Sequence, residues 1–339
     1  MISAVLLAAH VGIGINYIWW KLAPVSHARC VADDAARNEG EWFLPVYDRP
    51  QVRAAVRAQL RAMRSAGFTT LRVLVFFYRT TDASSTDSFT STDGSIAPAD
   101  RAKLHDFVAD VASARFARLE IVPSFQAENW LYCRNKVWGD CFDAARTAEN
   151  WRFVQTVARI AFAAAGATRL RFDLANEGAP DPSMTPATLA KAKAYLDYVA
   201  TRFAREFGGG WTISAARSDA APPGETESRL TLLLADLAAA GLTPKVLELH
   251  TYAPAASDVT LSLDEAGAVA GRIGAALVLG ELRYHSVAQA DAIGEWLRAN
   301  PRARVADLIQ WPEYDPSSVC ELDPVPPYTP GPLVNAIGN

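Results

Sequence analysis

The stretch Arg171-Phe-Asp-Leu-Ala-Asn-Glu177 predicts a buried strand that ends on a glutamate, and Leu277-Val-Leu-Gly-Glu281 repeats this pattern further along the chain. A carboxylate is costly to bury unless it is paired or hydrogen-bonded, so a glutamate that closes an apolar run needs partners. Taken singly, Glu177 can be a solvated loop residue and Glu281 a structural ion pair with an arginine. Two such glutamates in matching contexts predict a pair of catalytic carboxylates on one rim of the fold.

Eight apolar, β-branched or aromatic runs are spaced along the chain, with amphipathic helical patterns between them. The runs cover residues 11–18, 71–77, 119–125, 170–175, 211–215, 246–249, 276–279 and 305–311. Apolar strands that alternate with helices indicate a parallel sheet covered by helices. Eight units favour a single-domain α/β protein, a closed (β/α)8 TIM barrel, over an open doubly wound sheet. No Gly-rich dinucleotide turn follows the first run. The weakest of the helical patterns is the one over residues 263–273.

The long irregular segments all follow predicted strands, whereas the opposite connections, such as 67–70 and 166–169, are short. These long segments are residues 78–97, 126–146, 217–227, 252–260 and 312–332. A (β/α)8 barrel builds its active site from the segments that follow its strands, so we expect long loops on the C-terminal face of the strands. We expect residues 10–320 to form the barrel and residues 321–339 a Pro-rich tail packed on or beside it.

The composition excludes several classes of partner. The chain has 339 residues, of which 50% are hydrophobic and 21% charged, with a formal net charge of -4. No block of basic residues stands out, so we expect neither nucleic acid nor an anionic membrane as a partner. No stretch reaches the roughly 20 apolar residues of a membrane span. Residues 1–9 are apolar but lack a basic region, and this pattern fits a signal-peptide remnant or a plain N-terminal extension.

The four cysteines favour an oxidising compartment. Cys133 and Cys141 lie eight residues apart in a polar stretch, a spacing that fits a small disulfide-closed loop. Cys30 follows the first predicted strand and Cys320 the eighth, and these strands become neighbours when the barrel closes. A Cys30–Cys320 bridge is therefore a second hypothesis. The chain has no CxxC motif or Cys/His cluster that would predict zinc. We expect an extracellular or periplasmic location, and no metal or cofactor.

The residues at the predicted strand ends resemble those of the clan of (β/α)8 retaining glycoside hydrolases that includes cellulase-like family 5 and family 39. In that clan the acid/base follows an Asn at the end of strand four, and the nucleophile ends strand seven. Asn176-Glu177 and Glu281 match those positions. The other matching residues are Arg72 on strand two, His250 and Tyr252 on strand six, and Trp311 at the end of strand eight. The resemblance covers nearly the whole chain as architecture.

The resemblance implies hydrolysis of a β-linked oligo- or polysaccharide by double displacement, with an endo-acting cleft. Glu177 is then the acid/base and Glu281 the nucleophile. Arg72 and Tyr252 would keep Glu281 ionised, and a less polar setting would keep Glu177 protonated. The remaining implied roles are a hydrogen bond from Asn176 to the sugar 2-hydroxyl and, for His250, either orientation of Glu177 or a bond to a sugar hydroxyl.

Further residues are candidates for substrate binding, because sugar rings stack on indoles. They are Trp311 as the floor of the site, with Trp20, Trp130 and Gln126 around it. The chain departs from the family pattern at two positions. Ala175 stands where many family 5 members have Trp, and strand three ends on Gln126 without the frequent His. The family within the clan and the sugar are therefore open. So are two alternatives, a transglycosidase with the same carboxylates and a non-catalytic carbohydrate-binding barrel.

The remaining acidic residues are weaker candidates. Glu248 shares the side of its strand with His250 but lies deeper, so we expect a structural role for it. Asp173 is less favoured as a site residue. Glu128 and Glu313 lie close enough to the predicted rim to bind substrate.

Overall fold

The computed structural model describes residues 11–23, 39–81, 87–126, 129, 144–217, 222–253, 255–312 and 326–338. Eight parallel strands form a nearly closed ring. They are β1 (Gly12–Asn16), β2 (Thr70–Arg79), β3 (Arg118–Phe125), β4 (Arg169–Asp173), β5 (Trp211–Thr212 and Ser214–Arg217), β6 (Val246–Thr251), β7 (Ala276–Arg283) and β8 (Val305–Trp311).

The strands follow one another around the ring in chain order. β1 pairs with both β2 and β8, so the first and last strands are neighbours. The fifth strand is broken at Ile213: its first segment pairs with β4 and its second with β6. The predicted (β/α)8 barrel is therefore confirmed, and the only break in the pairing of the described strands falls in β5.

Eight helices connect and cover the described strands. They are α1 (Pro50–Ser65), α2 (Pro98–Ser113), α3 (Ala144–Ala164), α4 (Pro186–Phe207), α5 (Glu225–Ala239), α6 (Ala256–Ile273), α7 (Val287–Ala299) and α8 (Pro332–Gly338). In α1, the buried residues Val52, Val56, Leu60 and Met63 recur at helical spacing. Proline opens α1, α2 and α4, where its fixed φ suits the first turn. The weak pattern at residues 263–273 belongs to α6, a helix of 18 residues.

The barrel interior is polar, although the apolar core outside it is extensive. On β2, Leu71, Val73 and Val75 pack into the main core, whereas Arg72 points into the ring. The interiors of (β/α)8 barrels are usually filled by branched apolar side chains. Here fully buried charged residues from five strands occupy the interior, namely Arg72, Glu120, Asp173, Glu248 and Asp307.

Two further features surround the C-terminal ends of the strands. An antiparallel hairpin of Trp19–Ala23 and Glu39–Trp42 follows β1, and the short strand Phe89–Ser91 pairs with the end of β2. Residues 326–338 pack on the barrel: the ring of Tyr328 contacts those of Tyr17 and Tyr284. Among the described residues, no helix combines the length and apolar character needed to cross a membrane.

Candidate active site

A tight turn after β4 presents Glu177 over the barrel. The N–H of Gly178 donates to the carbonyl of Ala175 at 2.8 Å, and the N–H of Glu177 donates to Ser214 Oγ at 2.6 Å. A Cβ on Gly178 would lie 2.4 Å from that of Ala175, so the turn requires glycine there. Glu177 itself has a φ of 54°, and such backbone strain in a non-glycine residue clusters at functional sites. Its side chain is 32% exposed.

Glu281 enters the barrel because of a β-bulge in β7. Leu277, Leu279 and Leu282 pack into the core outside the ring, and strict alternation would send Glu281 outwards with them. The register shifts at Gly280–Glu281 against both neighbouring strands, so β7 carries one extra residue there. A bulge of this kind re-aims the side chain that follows it. Glu281 therefore points inwards and is 4% exposed.

Glycine is the residue that fits at this bulge. A Cβ on Gly280 would lie 1.9 Å from Glu248 Oε1 and 2.8 Å from His250 Nε2. The Nδ2 group of Asn16 donates to the Gly280 carbonyl at 3.0 Å, which satisfies a backbone acceptor that the bulge takes out of regular pairing. The glycine of Leu277-Val-Leu-Gly-Glu281 thus permits both the bulge and the close approach of two buried side chains.

The guanidinium of Arg72 links five side chains that lie on, or just after, four other strands. Its Nη1 donates to Glu281 Oε1 at 2.6 Å and to Asn16 at 2.8 Å, and its Nε donates to Glu120 at 2.7 Å. Its Nη2 donates to Asn176 at 2.7 Å and to Asp173 at 3.1 Å. All of these contacts are charge-assisted or directed by the planar guanidinium. Arg72 therefore fixes the position of Glu281 and Asn176 together.

His250 lies between the two strand-end glutamates. Its Nδ1 is 3.2 Å from Glu177 Oε1 and 3.5 Å from Glu281 Oε1. Carboxylate oxygens of Glu177 and Glu281 and the His250 ring nitrogen all lie within 4.8 Å of one another. The Tyr252 hydroxyl donates to Glu281 Oε2, the oxygen that does not face Arg72. The structure thus brings together six residues that the sequence predicts for the site: Arg72 on β2, and Asn176, Glu177, His250, Tyr252 and Glu281 on or just after β4, β6 and β7.

The charges around this pair differ from the expectation for Glu177. Burial opposes protonation of His250, but Glu281, Glu177 and Glu248 outweigh it and raise the pKa of His250 to about 10. Burial also favours a neutral Glu177, yet its bond to His250 and the charges of His250 and Arg72 lower its pKa below the usual range. The prediction of a less polar setting that keeps Glu177 protonated is therefore wrong in the direction of its pKa, because His250 and Arg72 favour the ionised carboxylate.

Among the described residues, two groups of side chains are close enough to share a metal ion: Asp173, Glu248 and His250, and Glu177, His250 and Glu281. The guanidinium of Arg72 contacts Asp173, Glu248 and His250 in the first group and Glu281 in the second. A cation of the protein's own thus already compensates the charge of these carboxylates. Because Arg72 already contacts both groups, these side chains do not fit a metal site.

A small, separate cluster of the barrel is apolar and aromatic. Trp311, at the end of β8, packs against the buried side chains of Ile18, Leu74 and Val122. Half-buried Trp19, Trp42 and Phe76 pack against the same small cluster, and the rings of Trp42 and Phe76 meet edge to face at 4.2 Å. We call Trp19, Trp42, Phe76 and Trp311 the aromatic wall. Sequence reasoning missed Trp42 and Phe76, because only the pairing of the hairpin and the inward side of β2 place them there.

The other predicted binding residues are less central. Trp20 packs against the main core, and its Nε1 is buried without a hydrogen-bond partner among the described residues. Gln126 follows β3 and is half-buried, with its N–H on the Phe77 carbonyl at 3.0 Å. Several predicted residues lie outside the described part of the chain: Trp130, Glu128, Glu313 and all four cysteines, Cys30, Cys133, Cys141 and Cys320.

Sequence reasoning also undervalued the residues beneath the site. Ser214 Oγ donates to Asp173 Oδ2 at 2.7 Å while accepting the Glu177 N–H, so the buried Asp173 supports the turn that carries Glu177. Glu120 accepts hydrogen bonds from both Arg72 and Arg171. A polar residue at every second position of neighbouring strands is the pattern that predicts such an interior.

No protein-family model matches the chain, and neither does any curated protein sequence. Solved structures resemble it in fold. GH5_18 from Bifidobacterium longum subsp. longum has a TM-score of 0.57 and 14% identity, over 97% of this chain and 78% of that one. A broad-specificity GH5-4 endoglucanase from Ruminococcus champanellensis, with bound cellotriose, has a TM-score of 0.54 and 14% identity, over 99% of this chain and 98% of that one. An endo-1,4-β-D-mannanase from Thermotoga petrophila has a TM-score of 0.54 and 12% identity, over 89% of this chain and 87% of that one. At these identities the likeness concerns the fold, and the chain has the (β/α)8 barrel of these proteins.

Proposed function

We propose that this protein is a retaining β-glycoside hydrolase in which Glu177 is the acid/base and Glu281 the nucleophile. The observation that carries the proposal is the approach of their carboxylate oxygens to within 4.8 Å at the ends of β4 and β7. Retaining enzymes need carboxyl groups about 5–5.5 Å apart, whereas inverting enzymes need about 6.5–9.5 Å to admit a water. The short separation therefore supports double displacement.

The environment of Glu281 suits a nucleophile. Arg72 Nη1 and the Tyr252 hydroxyl each donate to a different oxygen of its carboxylate. Hydrogen bonds of this kind favour the ionised form, which is the form that attacks the anomeric carbon. They also hold the carboxylate in one orientation, so little reorganisation is needed when the glycosyl-enzyme bond forms.

The acid/base role of Glu177 operates through its contact with His250. The raised pKa of His250 and the lowered pKa of Glu177 favour His250 as the holder of the proton of this pair, and its Nδ1 is 3.2 Å from Glu177 Oε1. Transfer of that proton to Glu177 generates the carboxylic acid that protonates the leaving oxygen. In the second step Glu177 takes a proton from the attacking water and passes it back to His250, which restores the pair.

The surroundings of the pair suit a glycan. The aromatic wall offers flat apolar surfaces and the glutamate pair offers charged groups, the combination that a sugar ring requires. Asn176 uses its oxygen to accept from Arg72, which leaves its amide N–H groups as donors for a sugar hydroxyl. Similar folds carry endo-1,4-β-mannanase and endoglucanase activities, and we extend endo action on a β-linked glycan to this chain as part of the proposal.

The test is the activity of Glu177→Gln and Glu281→Gln on aryl β-glycosides and on a panel of β-linked polysaccharides. We expect Glu281→Gln to lower kcat on both kinds of substrate. Glu177→Gln should lower kcat/KM, which reports the first step, by about 10²- to 10⁴-fold on polysaccharides but much less on aryl glycosides, whose leaving groups need little protonation. Glu295→Gln, on the exposed face of α7, is the matched control and should change neither.

The stereochemistry of the first product distinguishes the mechanism. NMR of the fresh reaction should show the β-anomer before mutarotation. An α-anomer, or wild-type turnover in either glutamine variant, would overturn the proposal. Binding of β-glycans without any turnover would favour a non-catalytic carbohydrate-binding barrel instead.

A further inference from the structure

Beneath the site, two buried carboxyl groups face each other across the barrel. Glu120 of β3 and Glu248 of β6 are both fully buried. Both oxygens of Glu120 accept from guanidinium groups: Oε1 from Arg72 Nε at 2.7 Å, and Oε2 from Arg171 Nε. A carboxyl group bonded in this way to two arginines is the ionised member of the pair.

Glu248 has no comparable partners. Its Oε1 lies 3.4 Å from Arg72 Nε and 3.4 Å from His250 Nε2, both beyond the usual length of a charge-assisted bond. Its Oε2 is buried and receives no hydrogen bond from the described residues. The carboxyl group of Glu120 lies within hydrogen-bonding reach, but an ionised Glu120 can only accept, so it cannot pair with an ionised Glu248. An ionised Glu248 would leave this oxygen unpaired against a second negative charge.

The cations near Glu248 are engaged elsewhere. Arg72 makes shorter contacts with Glu120, Glu281 and Asp173 than with Glu248. Arg171 bonds to Glu120 and to Asp307. The charged or titratable groups that face Glu248 from the strands around it are Arg72, Glu120, Arg171, Asp173 and His250. From β7 the facing residue is Gly280, which has no side chain.

We propose that Glu248 is a positioning residue that remains a neutral carboxylic acid, donating its proton from Oε2 to Glu120 and accepting the Nε2–H of His250 on Oε1. Protonation accounts for the orphaned oxygen, because a carboxylic acid supplies the one donor that Glu120 can still accept. It also directs the other ring nitrogen of His250 towards Glu177. The protonation state stands on the geometry alone, and its catalytic consequence rests on the function proposed above.

The electrostatics agree with this assignment. Burial and the charges of Glu120 and Asp173 raise the pKa of Glu248 to about 8. Burial alone would also raise the pKa of Glu120, but Arg171 and Arg72 outweigh it and lower that pKa to about 2. When Glu248 ionises at alkaline pH, it places a second negative charge beside Glu120 and attracts Arg72 and His250 away from Glu281 and Glu177.

Kinetics of Glu248→Gln and Glu120→Gln test the proposal. Glutamine reproduces both bonds of a neutral Glu248, since its amide N–H donates and its carbonyl accepts. We expect Glu248→Gln to fold and to keep kcat/KM within about threefold of wild type at pH 6, with the alkaline limb of the pH profile moved to higher pH. Glu120→Gln should unfold at a lower denaturant concentration and lose activity. Glu248→Leu, which makes neither bond, should lower kcat.

Infrared spectroscopy tests the same point without any substrate. The wild-type protein at pH 6 should show the C=O stretch of a buried carboxylic acid, which disappears in Glu248→Gln and, in wild type, as the pH rises through about 8. Absence of such a band in wild type would overturn the proposal even if hydrolysis is observed. So would a Glu248→Gln variant that fails to fold or that loses as much activity as Glu248→Leu. Lack of activity on every glycan, with the band present, would refute only the proposed function.

Discussion

Arg72 shows why residue identity matters more than charge at the centre of this barrel. It is fully buried, near the start of the ten-residue strand β2, and its three nitrogens donate to five oxygens. Lysine carries the same charge as a point on a flexible stem, and it offers three donors without the planar arrangement. A lysine here therefore leaves some of the surrounding buried acceptors without a donor.

We predict that Arg72→Lys lowers the free energy of unfolding by about 1–3 kcal/mol for each buried acceptor that loses its donor. It should also lower kcat strongly, since Glu281 and Asn176 lose their common anchor. Denaturant unfolding and kcat measure the two effects. Arg118→Lys is the matched control: the Arg118 side chain is 24% exposed, and its partner Asp307 still accepts hydrogen bonds from Arg171 and Thr70 in this variant. Equal stability of the two variants would contradict the central role of Arg72.

At the scale of elements, the bulge in β7 decides where Glu281 points. The strand begins with Leu277 and Leu279 facing the core, and Gly280 shifts the alternation by one residue. We predict that Gly280→Ala disrupts the site, because the new Cβ would lie 1.9 Å from Glu248 Oε1 and 2.8 Å from His250 Nε2, and both side chains are fully buried. Overpacking of this kind costs about 1–3 kcal/mol of stability, and a displacement of Glu281 by 1 Å costs about 10²-fold in kcat.

The control for this substitution is Gly271→Ala in α6. A Cβ on Gly271 meets nothing within 4 Å, and alanine in a helix interior is more favourable than glycine by about 0.5–1 kcal/mol. Gly271→Ala should therefore be neutral or slightly stabilising, with unchanged kcat. Thermal unfolding and kcat of both variants provide the comparison. A Gly280→Ala protein that behaves like Gly271→Ala would show that the bulge has no steric requirement for glycine.

The same element shows how far the sequence predicts this fold. The apolar runs predicted all eight strands and their order, because alternating strand and helix patterns admit few architectures. They did not predict that Glu281 faces inwards, since strict alternation would place it with Leu279. Nor did they predict that Glu120 and Glu248 meet, because a strand's period gives the face of a residue but not its register against a distant strand. Likewise, they did not predict that Trp19 and Trp42 meet in the aromatic wall, because that contact depends on the register of the hairpin.

For the whole molecule, the charged interior links folding to pH. Glu120 has a pKa of about 2 in the folded protein against 4.5 in the reference state, so its contribution to stability is present above pH 4.5 and is lost as the pH falls towards 2. His250 has a pKa of about 10 against 6.5, so its contribution is present below pH 6.5 and is lost as the pH rises towards 10. These two groups together favour a stability maximum at mildly acidic pH.

Glu248 adds a slope of its own between these limits. Its pKa is about 8 in the folded protein and 4.5 in the reference state, so between these values the folded chain holds a proton that the unfolded chain releases. Stability then falls with rising pH by about 1.4 kcal/mol per pH unit for this one group. Glutamine at position 248 cannot ionise, so the variant should lack this slope and become more stable than wild type as the pH rises from 5 to 7.

Urea unfolding of wild type and Glu248→Gln at half-unit steps between pH 4.5 and 8, followed by tryptophan fluorescence, measures this difference. We expect the two stabilities to agree near pH 4.5 and to separate steadily above it, with m-values unchanged. The difference isolates one group, because the remaining titrating residues are common to both proteins. Parallel curves would mean that Glu248 ionises in the folded protein as readily as in the unfolded chain. A variant that loses stability relative to wild type as the pH rises would mean that the folded protein holds Glu248 as an anion.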